Sequence, residues 1–102
     1  MTDPVPVIAI RREDAETKGR YVATIAGIAE EAELTVSKVS PTLIIADHTG
    51  VPDAMRGMKV GDALAQRLVA DARVEGFRIV PLCPFVNAWM KKRPEAADVF
   101  KA

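Results

Sequence analysis

The chain has 102 residues, with 14 lysines and arginines balanced by 14 aspartates and glutamates and 49% hydrophobic residues, enough for one domain with a modest core. A formal net charge of zero argues against nucleic-acid or membrane-surface binding driven by bulk electrostatics, although local basic clusters still count. The single cysteine, Cys83, excludes an internal disulfide and fits a reducing compartment; MTDPVP shows no secretory pattern and no stretch is long and apolar enough to span a membrane, so one cytoplasmic domain over 1–102 is expected, flexible at 1–6.

In chain order, Pro4 and Pro6 disfavour regular structure, and residues 7–10 predict a short edge strand before a charged turn at 11–20. Residues 21–26 and 32–38 predict two strands joined by a turn at 27–31. In the second, Leu34 and Val36 alternate with Glu33, Thr35 and Ser37, the period of a half-buried antiparallel strand. After a turn at Ser40 and Pro41, the apolar run 43–46 predicts a central strand covered on both faces. Val60, Leu64, Leu68 and Ala72, flanked by Ala65 and Val69, fall on one face of a helix whose other face holds Asp62, Gln66, Asp71, Arg73 and Glu75; Gly76 is placed to end it. A strand over 77–82 follows, and so short a strand, helix, strand passage implies a right-handed parallel crossover beside residues 43–47. Pro84 suits the first position of a second helix, 84–92, with Cys83 as its N-cap, and 94–100 reads as a last helical turn.

Between the strand at 43–46 and the long helix lies HTGVPDAMRGMKVGDAL, residues 48–64. Gly57 and Gly61 let the backbone come close to a ligand, the free N–H groups of the helix's first turn point outward at the positive end of the macrodipole, and Arg56 and Lys59 add cations suited to phosphate oxygens. An ordinary strand-to-helix connection would carry the same spacing. The ends of the two parallel strands place His48 and Thr49 near Cys83, where ligands bind in open parallel sheets. Cys83 reads either as a small buried hydrophobe or as a thiol whose helix-start position favours the nucleophilic thiolate. His48, the only histidine, leaves no multi-histidine metal site, and no second cysteine exists for zinc; it reads as a base for an amine or as a strand-end group bonded to backbone. Phe85, Val86 and Trp89 are expected to pack beneath the sheet. Lys91, Lys92 and Arg93 read as a solvated helix end that, beside a phosphate loop, would reach an adenosine phosphate.

Taken together, HTGVPDAMRGMKVGDAL and IVPLCPFV, within residues 21–100, resemble the small, minimal members of the Gcn5-related N-acetyltransferase superfamily. The resemblance implies an α/β fold with a mixed, mostly antiparallel sheet, a parallel pair splayed at the cofactor site, and flanking helices. It also implies transfer of an acetyl group from acetyl-CoA to an amine. In that family a loop of the form R/Q-x-x-G-x-G/A binds the CoA pyrophosphate; Arg56, Gly57, Met58, Lys59, Val60 and Gly61 occupy it here, with Lys59 where the family has its first glycine. Backbone groups of Thr49, Gly50 and Val51 would hold the pantetheine arm, with Asn87 as a side-chain contact. Cys83 in Pro81-Leu82-Cys83 matches the cysteine proposed as catalytic in the small members, and His48 is the candidate base. Gly50, Arg93 and Ala96 depart from the acidic, histidine and aromatic residues common there. Together with Lys59 they motivate the alternative of a catalytically silent CoA-binding or protein-interaction module. The expected partners are acetyl-CoA and an unidentified amine, small molecule or protein, bound by a monomer or weak homodimer without nucleic acid, membrane or metal.

Overall fold

The computed structural model describes residues 7–101; the flexible start expected at 1–6 lies outside the described residues. The elements are β1 (Ile8–Asp14), β2 (Lys18–Ile25), β3 (Ala32–Ser40), β4 (Leu43–Gly50), a 3-10 turn (Asp53–Met55), α1 (Val60–Glu75), β5 (Arg78–Val80), α2 (Pro84–Lys91) and a 3-10 segment (Pro94–Val99). The sheet runs β1-β2-β3-β4-β5, antiparallel except for the parallel pair β4 and β5. This is the mixed sheet that the sequence implies.

Strand alternation decides where the core lies. Tyr21, Ala23 and Ile25 of β2, Leu34 and Val36 of β3, and Ile44 and Ala46 of β4 share one face. Against it pack Val60, Leu64, Leu68 and Ala72 of α1 and Val86 and Trp89 of α2, so both helices cover the same side. Burying these aliphatic and aromatic side chains, worth roughly 1.5–3 kcal/mol for each fully buried one, is the main source of stability. The opposite face carries Arg11, Glu13, Arg20, Glu33 and Ser37, many of them tied in ion pairs such as Arg20 to Glu13 at 2.8 Å and to Glu33 at 2.7 Å. β4 therefore alternates buried with half-buried residues rather than being covered on both faces.

Other expectations shift at their ends. The segment expected as a charged turn at 11–20 is mostly strand, because Arg11 to Asp14 pair in register with Val22 back to Gly19 and Glu13 meets Arg20 across the ladder. β5 is shorter than 77–82: Pro81 has no N–H to continue the ladder. α1 ends as expected, with Gly76 at φ 80° donating its N–H to the Ala72 carbonyl at 2.8 Å. No helix among the described residues is long and apolar enough to cross a membrane.

Candidate functional site

Two departures from regular structure build the site. The first is a bulge in β4: Thr35 pairs with His48 and Val36 with Ala46, leaving Asp47 without an opposite residue. The extra residue resets the alternation. Asp47 bonds Ser37 on the open face at 2.6 Å, and exposed His48 leans over Gly50 on that same face, its Nε2 3.4 Å from where a Gly50 Cβ would stand. Thr49 returns to the helix side, its hydroxyl 3.3 Å from the Cys83 Sγ.

The second departure is the parting of the parallel pair. Its register ends at Ile45 and Val80; beyond it, the Cys83 N–H still reaches the Ala46 carbonyl at 2.8 Å, while β4 runs on alone to Gly50. The side of β4 facing β5 is thus open from Asp47 onward, a row of backbone groups available to an extended ligand.

Above this gap the loop to α1 is held from below by buried Met55 and half-buried Met58, which turns Arg56 and Lys59 outward. Gly57 has φ 80° and Lys59 has φ 60°, so a left-handed conformation that favours glycine is taken up here by a lysine. Lys59 is the N-cap and supplies no side-chain acceptor. Among the described residues, the N–H groups of Val60, Gly61 and Asp62 have no hydrogen-bond acceptor, and they sit at the positive end of a 16-residue helix.

α2 closes the other side. Cys83 is its N-cap; Phe85 and Trp89 follow on one face, and Arg93, two residues past the helix end, joins them at the start of α1. The Phe85 ring lies against Gly61, so close that a Cβ there would stand 2.6 Å from its Cζ. Of the three expected beneath the sheet, Val86 is buried there, whereas Trp89, buried, and Phe85, 39% exposed, both line the site. Asp62 Oδ1 accepts from Trp89 Nε1 and from Arg93, each at 2.7 Å, and Oδ2 accepts from Gln66 Nε2 at 2.7 Å. Desolvation pushes the Asp62 pKa up, but these donors outweigh it and hold the carboxyl below its ordinary value.

The result is a cavity of ≈ 810 Å³ that gathers Thr49 of β4 and Val51 just past it, Arg56, Gly57, Lys59, Val60 and Gly61 from the loop and helix start, Phe85 of α2, and Lys92 and Arg93 just past that helix. Of the other candidate residues, Gly50 and Met58 flank the cavity in sequence without lining it, and Asn87 bonds the Pro81 carbonyl at 3.3 Å, fixing the turn after β5. Cys83 is buried at 2% exposure, and His48 is on the opposite face of the sheet from it. Asp62, Trp89 and the role of Phe85 escape a reading of the sequence, since only folding brings the stripe on α2 to the first turn of α1. The spacing of 85, 89 and 93 was the available signal.

Antiparallel strands giving way to a splayed parallel pair, with an uncapped helix start above the gap, define a mixed α/β fold with its cavity at the splay. The family model for the GCN5-related N-acetyl-transferases matches residues 20–99, and the chain belongs to that family. It is similar to the NMR solution structure of a GCN5-like protein from Staphylococcus aureus, with 28% identity, 90% of this chain and 88% of the other covered, and a TM-score of 0.63. No curated protein sequence matches it.

Proposed function

We propose that the protein is an acetyl-CoA-dependent N-acetyltransferase acting on an amine. One observation carries this reading: the unbonded amides of Val60, Gly61 and Asp62 and the open edge of β4 face a single cavity. The donor set fits a diphosphate, which can take several N–H bonds and the charges of Arg56 and Lys59. The edge at Thr49, Gly50 and Val51 suits the amide groups of a pantetheine arm, and the thioester then ends beside Thr49 and Cys83.

Bound there, acetyl-CoA supplies a carbonyl open to attack. Transfer forms a C–N bond to the amine and breaks the thioester C–S bond; the amine gives up a proton and the leaving thiolate gains one. The 3.3 Å between the Cys83 thiol and the Thr49 hydroxyl supports Cys83 as the acid that protonates that thiolate. His48 is the base for an amine arriving over the open face of the sheet. A second reading, CoA binding without turnover, is favoured by one feature: His48 and Cys83 lie on opposite faces, so no contact between them shares a proton.

Calorimetric titration of acetyl-CoA into the wild type and Lys59→Gly tests the site. Micromolar binding to the wild type is expected; binding by neither protein would end the CoA assignment. Turnover on lysine peptides and small amines separates enzyme from module, with Cys83→Ala expected to lose at least ~10-fold in rate, in the range of general acid catalysis. Full activity in Cys83→Ala would remove the thiol from the chemistry, and an acetyl adduct on Cys83 by intact mass would make it a nucleophile instead.

A further inference from the structure

The phosphate loop does not account for the basic residues at the far end of α2. Arg93 is held from two sides: it donates to Asp62 at 2.7 Å, and its Cζ lies 5.0 Å from the Trp89 ring centroid. A guanidinium so fixed loses little freedom on taking a second partner, and it carries five N–H donors of which this ion pair uses few. Lys92 beside it is exposed and lines the same cavity. Among the described residues Asp62 is the only acidic one lining that cavity, and its carboxylate is already occupied by three donors. Arg56 has a partner too, Asp53 at 2.8 Å. The cavity is thus lined by four cations, Arg56 and Lys59 at the loop and Lys92 and Arg93 at the end of α2, against the single lining carboxylate of Asp62.

We propose that Lys92 and Arg93 form a second anion position that takes the ribose 3′-phosphate of the acyl-CoA donor and makes the protein discriminate CoA from dephospho-CoA. This rests on the reading of the cavity as a CoA site. Two features tie the position to the loop. Asp62 stands three residues after Lys59, less than one helical turn, and bonds Arg93 directly. In adenosine 3′,5′-bisphosphate the two phosphate groups are carried by one sugar, so a 5′-diphosphate on the α1 amides brings the 3′-phosphate within the reach of groups one turn away. The end of α2 is the negative pole of that helix and by itself repels an anion, so a phosphate there needs both cations.

The test is calorimetric titration of CoA, dephospho-CoA, adenosine 3′,5′-bisphosphate and ADP against the wild type, Lys92→Gln, Arg93→Gln and Arg56→Gln. The wild type is expected to bind CoA at least ~10-fold more tightly than dephospho-CoA, and adenosine 3′,5′-bisphosphate more tightly than ADP. Lys92→Gln and Arg93→Gln are expected to shrink both ratios toward one, whereas Arg56→Gln weakens CoA and dephospho-CoA alike. Lys92 takes part in none of the hydrogen bonds around Asp62, so Lys92→Gln reads the effect even if Arg93→Gln loosens the junction of the two helices. Equal binding of CoA and dephospho-CoA by the wild type overturns this assignment and leaves the proposed function standing. Binding of neither overturns both.

Discussion

At the scale of single residues, Lys59 stands out because its backbone conformation, φ 60° and ψ 31°, is one that side chains resist. The Cβ crowds the carbonyl at a cost of roughly 1–2 kcal/mol, and glycine would relieve this while adding roughly 0.5–1 kcal/mol of chain entropy to lose on folding. Lys59→Gly is therefore expected to stabilise the protein by about 0.5–1 kcal/mol, read as a higher midpoint in urea denaturation. A lower midpoint would mean that the lysine stem packs on the loop. The residues of this loop were legible in the sequence because glycines and cations mark it locally. Gly61 was legible only in part: its lack of a Cβ serves the Phe85 ring, a neighbour on another helix that no local spacing names. The face on which His48 lies was not legible at all, since it depends on one unpaired residue, Asp47, in the middle of β4.

At the scale of elements, α1 is fixed at both ends by polar contacts over its apolar stripe. Near its C-terminus, Asp71 accepts from the Tyr21 hydroxyl at 2.8 Å and from Arg12 and Arg67, while Arg12 also pairs with Glu75. Burial, with Asp71 and Glu75 nearby, pushes the Tyr21 hydroxyl well above its usual range, so it remains a donor. At the N-terminus, Asp62 bridges to α2. Its carboxyl is depressed below the ordinary 3.8, so the stability it adds is complete above that pH and is lost as pH falls through the lower folded value. Urea midpoints measured through this acid range should fall more steeply for the wild type than for Asp62→Asn. Parallel pH profiles would show that the carboxylate gains nothing from Trp89 and Arg93. Helix α1 and the alternation of β3 were readable because their periods are regular; the junction between α1 and α2 was not, because it depends on tertiary approach.

At the scale of the whole molecule, the short strand β5 would leave an exposed edge, and the chain returns to cover it. Phe100 bridges to Ile79, the Lys101 N–H reaches the Ile79 carbonyl at 2.8 Å, and the buried Phe100 ring stands 6.4 Å from that of Trp89. Phe100→Ala is expected to cost about 3 kcal/mol in chemical denaturation, with the loss felt at the cavity through Trp89. A cost near zero would show that the C-terminal segment is dispensable. This closure was not visible in the sequence, where 94–100 read only as a helical turn.

The order of the strands along the sheet repeats their order along the chain. The four antiparallel strands are joined by short turns and can zip up locally, whereas β5 must wait for the whole of α1 to cross over, a slower closure. The edge of β4 belongs to that meander, whereas the α1 amides, Phe85, Lys92 and Arg93 join it only once both helices pack on the sheet. A chain arrested at the meander would lack most of the cavity wall, so burial of Trp89, which lines the cavity, is itself a signature that folding has finished.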